Sequence, residues 1–142
     1  MTWRLLGVFA GLCAGLGCAS LGDPMGRAYA LEEAQLSYTQ SVRWGNLEAA
    51  SELVDPLLRE AFLAQRPAFE RIRITEYDIG KIDYDAELMS AKVNVTYHGY
   101  SLATLEERRI EETQRWERTD GSNWWVKPQL AGLIDAFPEA TR

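Results

Sequence analysis

The chain has 142 residues, a formal net charge of −6 and 46% hydrophobic residues. That acidity disfavours a nucleic-acid partner, which needs a basic patch, and disfavours docking of the protein surface on anionic lipid headgroups. Two cysteines and one histidine provide no C-x-x-C or H-x-x-H spacing for thiol redox chemistry or metal ligation, so no cofactor and no metal is expected.

Arg4 is followed by an apolar run, Leu5-Leu6-Gly7-Val8-Phe9-Ala10-Gly11-Leu12-Cys13-Ala14-Gly15-Leu16, and then by Gly17-Cys18. A positive start, a short apolar stretch and small residues before a cut mark a secretory signal peptide. Leu5 to Gly17 is 13 residues, short of the about 20 that a spanning helix needs. The segment Gly15-Leu16-Gly17-Cys18 resembles the bacterial lipoprotein signal, although Gly15 stands where that family usually has leucine. The resemblance implies that residues 1–17 are removed, that the Cys18 thiol is lipidated, and that residues 18–22 tether one mature domain to the membrane. Removing Arg4 takes the formal charge from −6 to −7. Ala19, in place of a retention aspartate, implies sorting to the periplasmic face of the outer membrane. Both cysteines then lie at or before the cut, and the domain must hold together without a disulfide.

Asp23-Pro24 can start a helix, with Asp as cap and Pro in the first turn. Leu31, Ala34, Tyr38 and Val42 continue it at helical spacing to about Trp44. Gly45 breaks that helix and Asn46 caps a second, with a stripe of Leu47, Ala50, Val54, Leu57 and Leu58. Pro56 disfavours helical geometry at Asp55, so a break is expected there, followed by a third helix over Leu57–Ala64. Arg66-Pro67 is expected to end the helical part. The hydrophobic period then shortens from about 3.6 to 2. Ile72 and Ile74 alternate with polar residues, while Ile79 and Ile82 are out of phase around Gly80, which predicts a bulge there. Val93, Val95 and Tyr97 mark a second strand. A third runs from about Leu105 to Arg118 with Ile110, Glu112, Gln114 and Trp116 on one face. Asp120-Gly121 reads as a turn, Asn123–Lys127 as a last strand, and residues 129–142 as a short helical or disordered appendage.

Helices first and long antiparallel strands afterwards define an α+β domain, N-terminal helices packed on a curved antiparallel sheet of three to four strands. Three segments carry a resemblance to the NTF2-like, cone-shaped superfamily. They are Trp44-Gly45-Asn46-Leu47-Glu48-Ala49-Ala50, the helix end Val54-Asp55-Pro56, and the closing pair Gln114-Arg115-Trp116-Glu117-Arg118 and Asp120-Gly121-Ser122-Asn123-Trp124-Trp125-Val126. The resemblance assigns residues 23–128 to such a domain and implies a sheet wrapped around a helix, often with a pocket at the wide end. Enzymes of that superfamily such as ketosteroid isomerase use a pocket Asp base with Tyr and Asp oxyanion donors. Tyr29, Tyr38, Tyr77 and Tyr97 are present, but no set of positions here matches that constellation.

Among the carboxylates, Glu112 is the one that shares a strand face with Ile110 and Trp116, which makes it a speculative catalytic base, with Arg108 as a matching cation and Gln114 as a second polar group. His98, the single histidine, sits on the polar side of its strand and reads as a rim or solvent-facing residue. Tyr97, Trp116, Trp124 and Trp125 are candidates for core pairing or for ligand and partner contact, and Trp124 and Trp125 must point to opposite faces. The leading expectation is a membrane-anchored, non-enzymatic domain binding a small apolar ligand or an envelope protein. The alternatives are a small isomerase- or hydrolase-type enzyme using Glu112, and a structural accessory subunit. An enclosed pocket containing Glu112 with a partner within ~3 Å favours the enzyme, and a filled cone with an apolar patch around Trp124 or Trp125 favours binding or assembly.

Overall fold

The computed structural model describes residues 24–119 and 123–142. The signal peptide, Cys18, the tether, the Asp23 cap and the Asp120-Gly121 turn lie outside the described residues. Among the described residues no helix is long and apolar enough to cross a membrane.

Helix α1 spans Pro24–Arg43. Its inward face carries Leu31, Gln35, Tyr38, Thr39 and Val42, all buried, which is the i, i+4, i+7, i+8, i+11 progression of one helical stripe. The chain turns at Gly45, whose φ of 71° suits glycine. Asn46 then caps α2 (Leu47–Ser51) by accepting the Ala49 N–H at 3.1 Å.

The helix expected beyond α2 is reorganised. Asp55 accepts the Leu57 N–H on its side chain at 3.0 Å and the Leu58 N–H on its carbonyl at 2.8 Å, making a tight turn. That turn swings Leu57 and Leu58 off the expected stripe, and Leu57 is 91% exposed. Val54 forms a parallel bridge with Val126 instead. Helix α3 is confined to Arg59–Leu63. Arg66-Pro67 starts one more turn, α4 (Arg66–Phe69), because a proline in a first helical turn forfeits no intrahelical hydrogen bond. It delivers Phe69 to the core.

Strands β1 (Ile72–Tyr84), β2 (Ser90–Ser101), β3 (Glu107–Arg118) and β4 (Trp124–Lys127) form an antiparallel meander in the order β1-β2-β3-β4. The β1–β2 register shifts between Ile79 and Ile82, around Gly80, and again between Ile74 and Glu76. Each shift bends β1 and increases its twist. Val93, Val95 and Tyr97 of β2 and Ile110, Glu112, Gln114 and Trp116 of β3 are buried beneath the helices. The opposite face carries Lys92, Asn94, Arg109, Glu111 and Arg115, all exposed.

The segment read as an appendage belongs to the same core. Helix α5 (Leu130–Asp135) and a 3-10 turn (Pro138–Thr141) bury Leu130, Leu133, Ile134, Phe137 and Ala140. The apolar residues at 130, 133, 134 and 137 fall at helical spacing, so the segment has an amphipathic stripe that gains by covering the end of the sheet.

Candidate functional site

Glu112 lies inside the cone, 4% exposed. Strand β3 aims it inward with Ile110, Gln114 and Trp116 because alternate strand residues share a face. One of its oxygens accepts the Gln129 N–H at 3.2 Å, and the other accepts from Gln114 at 3.4 Å. Gln114 is the hub. Its amide nitrogen also approaches the Thr39 hydroxyl at 3.1 Å and the Tyr97 hydroxyl at 3.3 Å. Its carbonyl oxygen accepts from Gln35 and from the Trp116 indole, each at 3.2 Å. Gln35 also donates to Thr39 at 3.0 Å.

Burial pushes the Glu112 carboxyl above its ordinary range, and the donors from Gln129, Gln114 and Tyr97 pull it partly back. Burial, and then the charge of Glu112, push both the Tyr97 and the Tyr38 hydroxyls well above the usual phenol range. The Tyr38 hydroxyl is buried without a hydrogen-bond partner among the described residues, and its ring packs edge-on against Trp116 at 5.9 Å.

Arg108 does not meet Glu112. Its guanidinium donates to the Ala136 carbonyl, pairs with Glu106 at 3.1 Å and Glu139 at 3.4 Å, and stands 5.4 Å from the Phe137 ring centroid. It therefore pins the C-terminal segment over the end of the cone. It shares the strand parity of Ile110 and Glu112 on β3, but near the start of the strand its guanidinium meets the C-terminal segment instead. His98 is half-buried on the outer face, 3.8 Å from Glu107. Trp124 is buried, with its indole N–H donated to the Arg27 carbonyl at 3.0 Å. Trp125, on the opposite face, is half-buried and donates to Thr119 at 3.2 Å. The expected constellation is thus divided. Tyr97, Glu112, Gln114 and Trp116 come together in the interior, while Trp124 packs in the core beside α1, Arg108 holds the C-terminal segment and Trp125 lies on the opposite face.

The space that includes Glu112 in its lining, about 440 Å³, opens on the outer face of the sheet among Asp78, Asn94, Thr96 and Glu111. Since the Glu112 side chain points the other way, this depression meets only its backbone side. A larger groove, about 650 Å³, lies outside the cone between the end of α1, α4 and the start of β1. Its rim carries Arg43, Trp44 and Arg73, and Trp44 is 76% exposed. This groove had no counterpart in the sequence reading, although Trp44 beside Gly45 was visible as an aromatic at a helix end. The partners of Gln114 on α1, Gln35 and Thr39, were also missed. Their signal was their place on the helical stripe of Leu31, Tyr38 and Val42.

No protein-family model and no curated protein matches the sequence. Solved structures do match the fold. A SEC-C motif-containing protein from Rhodopseudomonas palustris superposes with a TM-score of 0.56 at 14% identity, covering 72% of this chain and 81% of the other. A ketosteroid isomerase-like protein from Erwinia carotovora atroseptica gives 0.52 at 14% identity over 69% and 88% of the two chains. A protein of the NTF2-like family from Streptomyces avermitilis gives 0.52 at 15% identity over 73% and 93%. Helices packed against a four-stranded antiparallel sheet make this an α+β fold of the NTF2-like kind.

Proposed function

We propose that the chain is an envelope lipoprotein, held by lipid on Cys18 at the periplasmic face of the outer membrane, whose NTF2-like domain binds a small apolar ligand or a protein partner and performs no catalysis. The observation that carries the non-catalytic part is the state of Glu112. Its two oxygens are engaged by Gln129 and Gln114, and Gln114 is itself engaged by α1. A general base must reach a proton on a substrate. Here the helix side chains and the C-terminal segment occupy the volume in which a substrate would stand.

A second reading, a small isomerase- or hydrolase-type enzyme, draws on the raised pKa of the same carboxyl, since perturbed carboxyls gather at active sites. Against it stands the closed network, which accounts for the burial as a structural feature.

Mass spectrometry of the protein purified from membranes tests the anchor. A lipidated N-terminal peptide beginning at Cys18 is expected, and Cys18→Ala should abolish lipid incorporation. Unchanged incorporation in that variant refutes the anchor. Glu112→Gln tests the absence of catalysis. Biological activity should be retained, and its loss with folding and partner affinity unchanged would transfer the assignment to the enzyme.

A further inference from the structure

The groove between α1, α4 and β1 combines three features that the fold itself does not explain. Its floor is apolar, built from Leu47, Phe69, Ile72 and Ile74. Its lip is Trp44, a large aromatic left 76% exposed. Its charge is inverted relative to the chain: two guanidinium groups, Arg43 and Arg73, face one carboxylate, Glu70, in a protein whose formal charge is −6. Among the described residues neither arginine has a carboxylate within ion-pair distance. Arg43 instead stacks on Trp44, 4.5 Å from the ring centroid. Arg73 turns its Nη1 onto the carbonyls of Glu70 at 2.9 Å and Ile72 at 3.1 Å, which fixes the guanidinium at the edge of β1 by main-chain acceptors and not by an ion pair. The arginine also occupies main-chain acceptors at the start of that edge strand, which disfavours an added peptide strand there.

An apolar floor with a few placed polar groups, in a volume of about 650 Å³, is the usual make-up of a small-molecule site. We propose that this groove binds a small amphipathic carboxylate, its apolar body lying on the floor beneath Trp44 and its carboxylate drawn to Arg43 and Arg73. The proposal deepens the reading of the domain as a binding module, by naming the place and the ligand class. It is independent of the lipid on Cys18.

The test uses the full chain carrying Cys18→Ala, so that no protein-borne acyl group competes. Isothermal titration compares dodecanoate, dodecanol and dodecyltrimethylammonium below their aggregation concentrations. Dodecanoate should bind at least about tenfold more tightly than the alcohol, roughly the value of one uncancelled charge-assisted contact, and the ammonium should bind most weakly. Arg43→Gln should weaken dodecanoate several-fold and leave dodecanol unchanged, and Arg43→Gln with Arg73→Gln should bring dodecanoate down to the level of dodecanol. Trp44→Ala should weaken both. All three side chains are on the rim, and Arg115→Gln, on the exposed outer face of the sheet, should change nothing. Equal affinity for acid and alcohol, an unaltered dodecanoate affinity in Arg43→Gln, or an equal loss in Arg115→Gln overturns the proposal. Selective capture of an apolar peptide in preference to dodecanoate also overturns it, while leaving the binding-module reading intact. Failure of the lipid assay at Cys18 would remove the anchor without altering these titrations.

Discussion

Phe137→Ala separates a C-terminal segment that completes the core from one that merely decorates it. The ring is fully buried, and Arg108 covers it. Removing a buried phenylalanine ring costs about 3–5 kcal/mol, the lost transfer energy together with the cavity left behind. A domain of this size has a total stability of only about 5–15 kcal/mol. At about 4 °C per kcal/mol for a domain of this size, the melting temperature should fall by about 12–20 °C. Thermal and urea unfolding followed by tryptophan fluorescence give the value. Leu57→Ala, at a position 91% exposed, is the reference and should stay within about 0.5 kcal/mol of the parent. A loss below about 1 kcal/mol in Phe137→Ala would refute the assignment of residues 130–141 to the core, and with it the argument that this segment covers the end of the sheet.

Glu112 makes stability depend on pH in an uncommon direction. Burial raises its pKa in the folded state, so its contribution is fully present below the unfolded value and is lost as pH rises through the folded value. Between the two values stability declines by up to ~1.4 kcal/mol per pH unit for the one proton concerned, and above the folded value, where both states are ionised, the slope vanishes. Glu112→Gln should flatten that limb and be more stable than the parent at alkaline pH. Identical pH slopes in the two proteins, read from urea midpoints, would show that the carboxyl is not buried as described. Gly99→Ala should destabilise by about 1–3 kcal/mol through overpacking, because an added Cβ would stand 2.6 Å from the Arg73 carbonyl and 3.3 Å from the Ile74 Cα, neither of which can move alone. A urea midpoint unchanged in that variant would remove the close approach of β1 and β2 at this position.

The layered architecture was legible because its signals are local and periodic. Asn46 caps α2 as its side chain predicts, and the phase conflict between Ile79 and Ile82 reports the bulge around Gly80. The second register shift, next to Thr75, has a similar trace, because the inward apolar positions pass from Ile72 and Ile74 to Tyr77 and Ile79, a change of parity across two consecutive exposed residues. The fate of Leu57 and Leu58 depended on a turn stabilised by the Asp55 carboxylate, a local hydrogen bond that competes with the helix and that hydrophobic spacing does not register. The inward direction of Glu112 followed from strand parity. The partners of Gln114 on α1 did not, because Gln35 and Thr39 are 79 and 75 positions away in the sequence, and only the packing of α1 across the sheet brings them to β3. Arg108 was misread for a related reason: its partners Ala136 and Glu139 belong to the segment assumed to lie outside the domain.

The bridge between Val54 and Val126 ties the helical half of the chain to its last strand through two main-chain hydrogen bonds, Val126 N–H to Leu53 at 2.9 Å and Asp55 N–H to Val126 at 3.0 Å. Closing it draws together residues separated by most of the domain, and such non-local closure is slow. The buried residues of α5 come later still in the chain. A polypeptide emerging in chain order therefore lacks both its seam and its final core residues until Val126 and residues 130–140 have been made. The order of residues along the chain thus places closure of the core among the last steps open to it, after α1 and the first three strands are in hand.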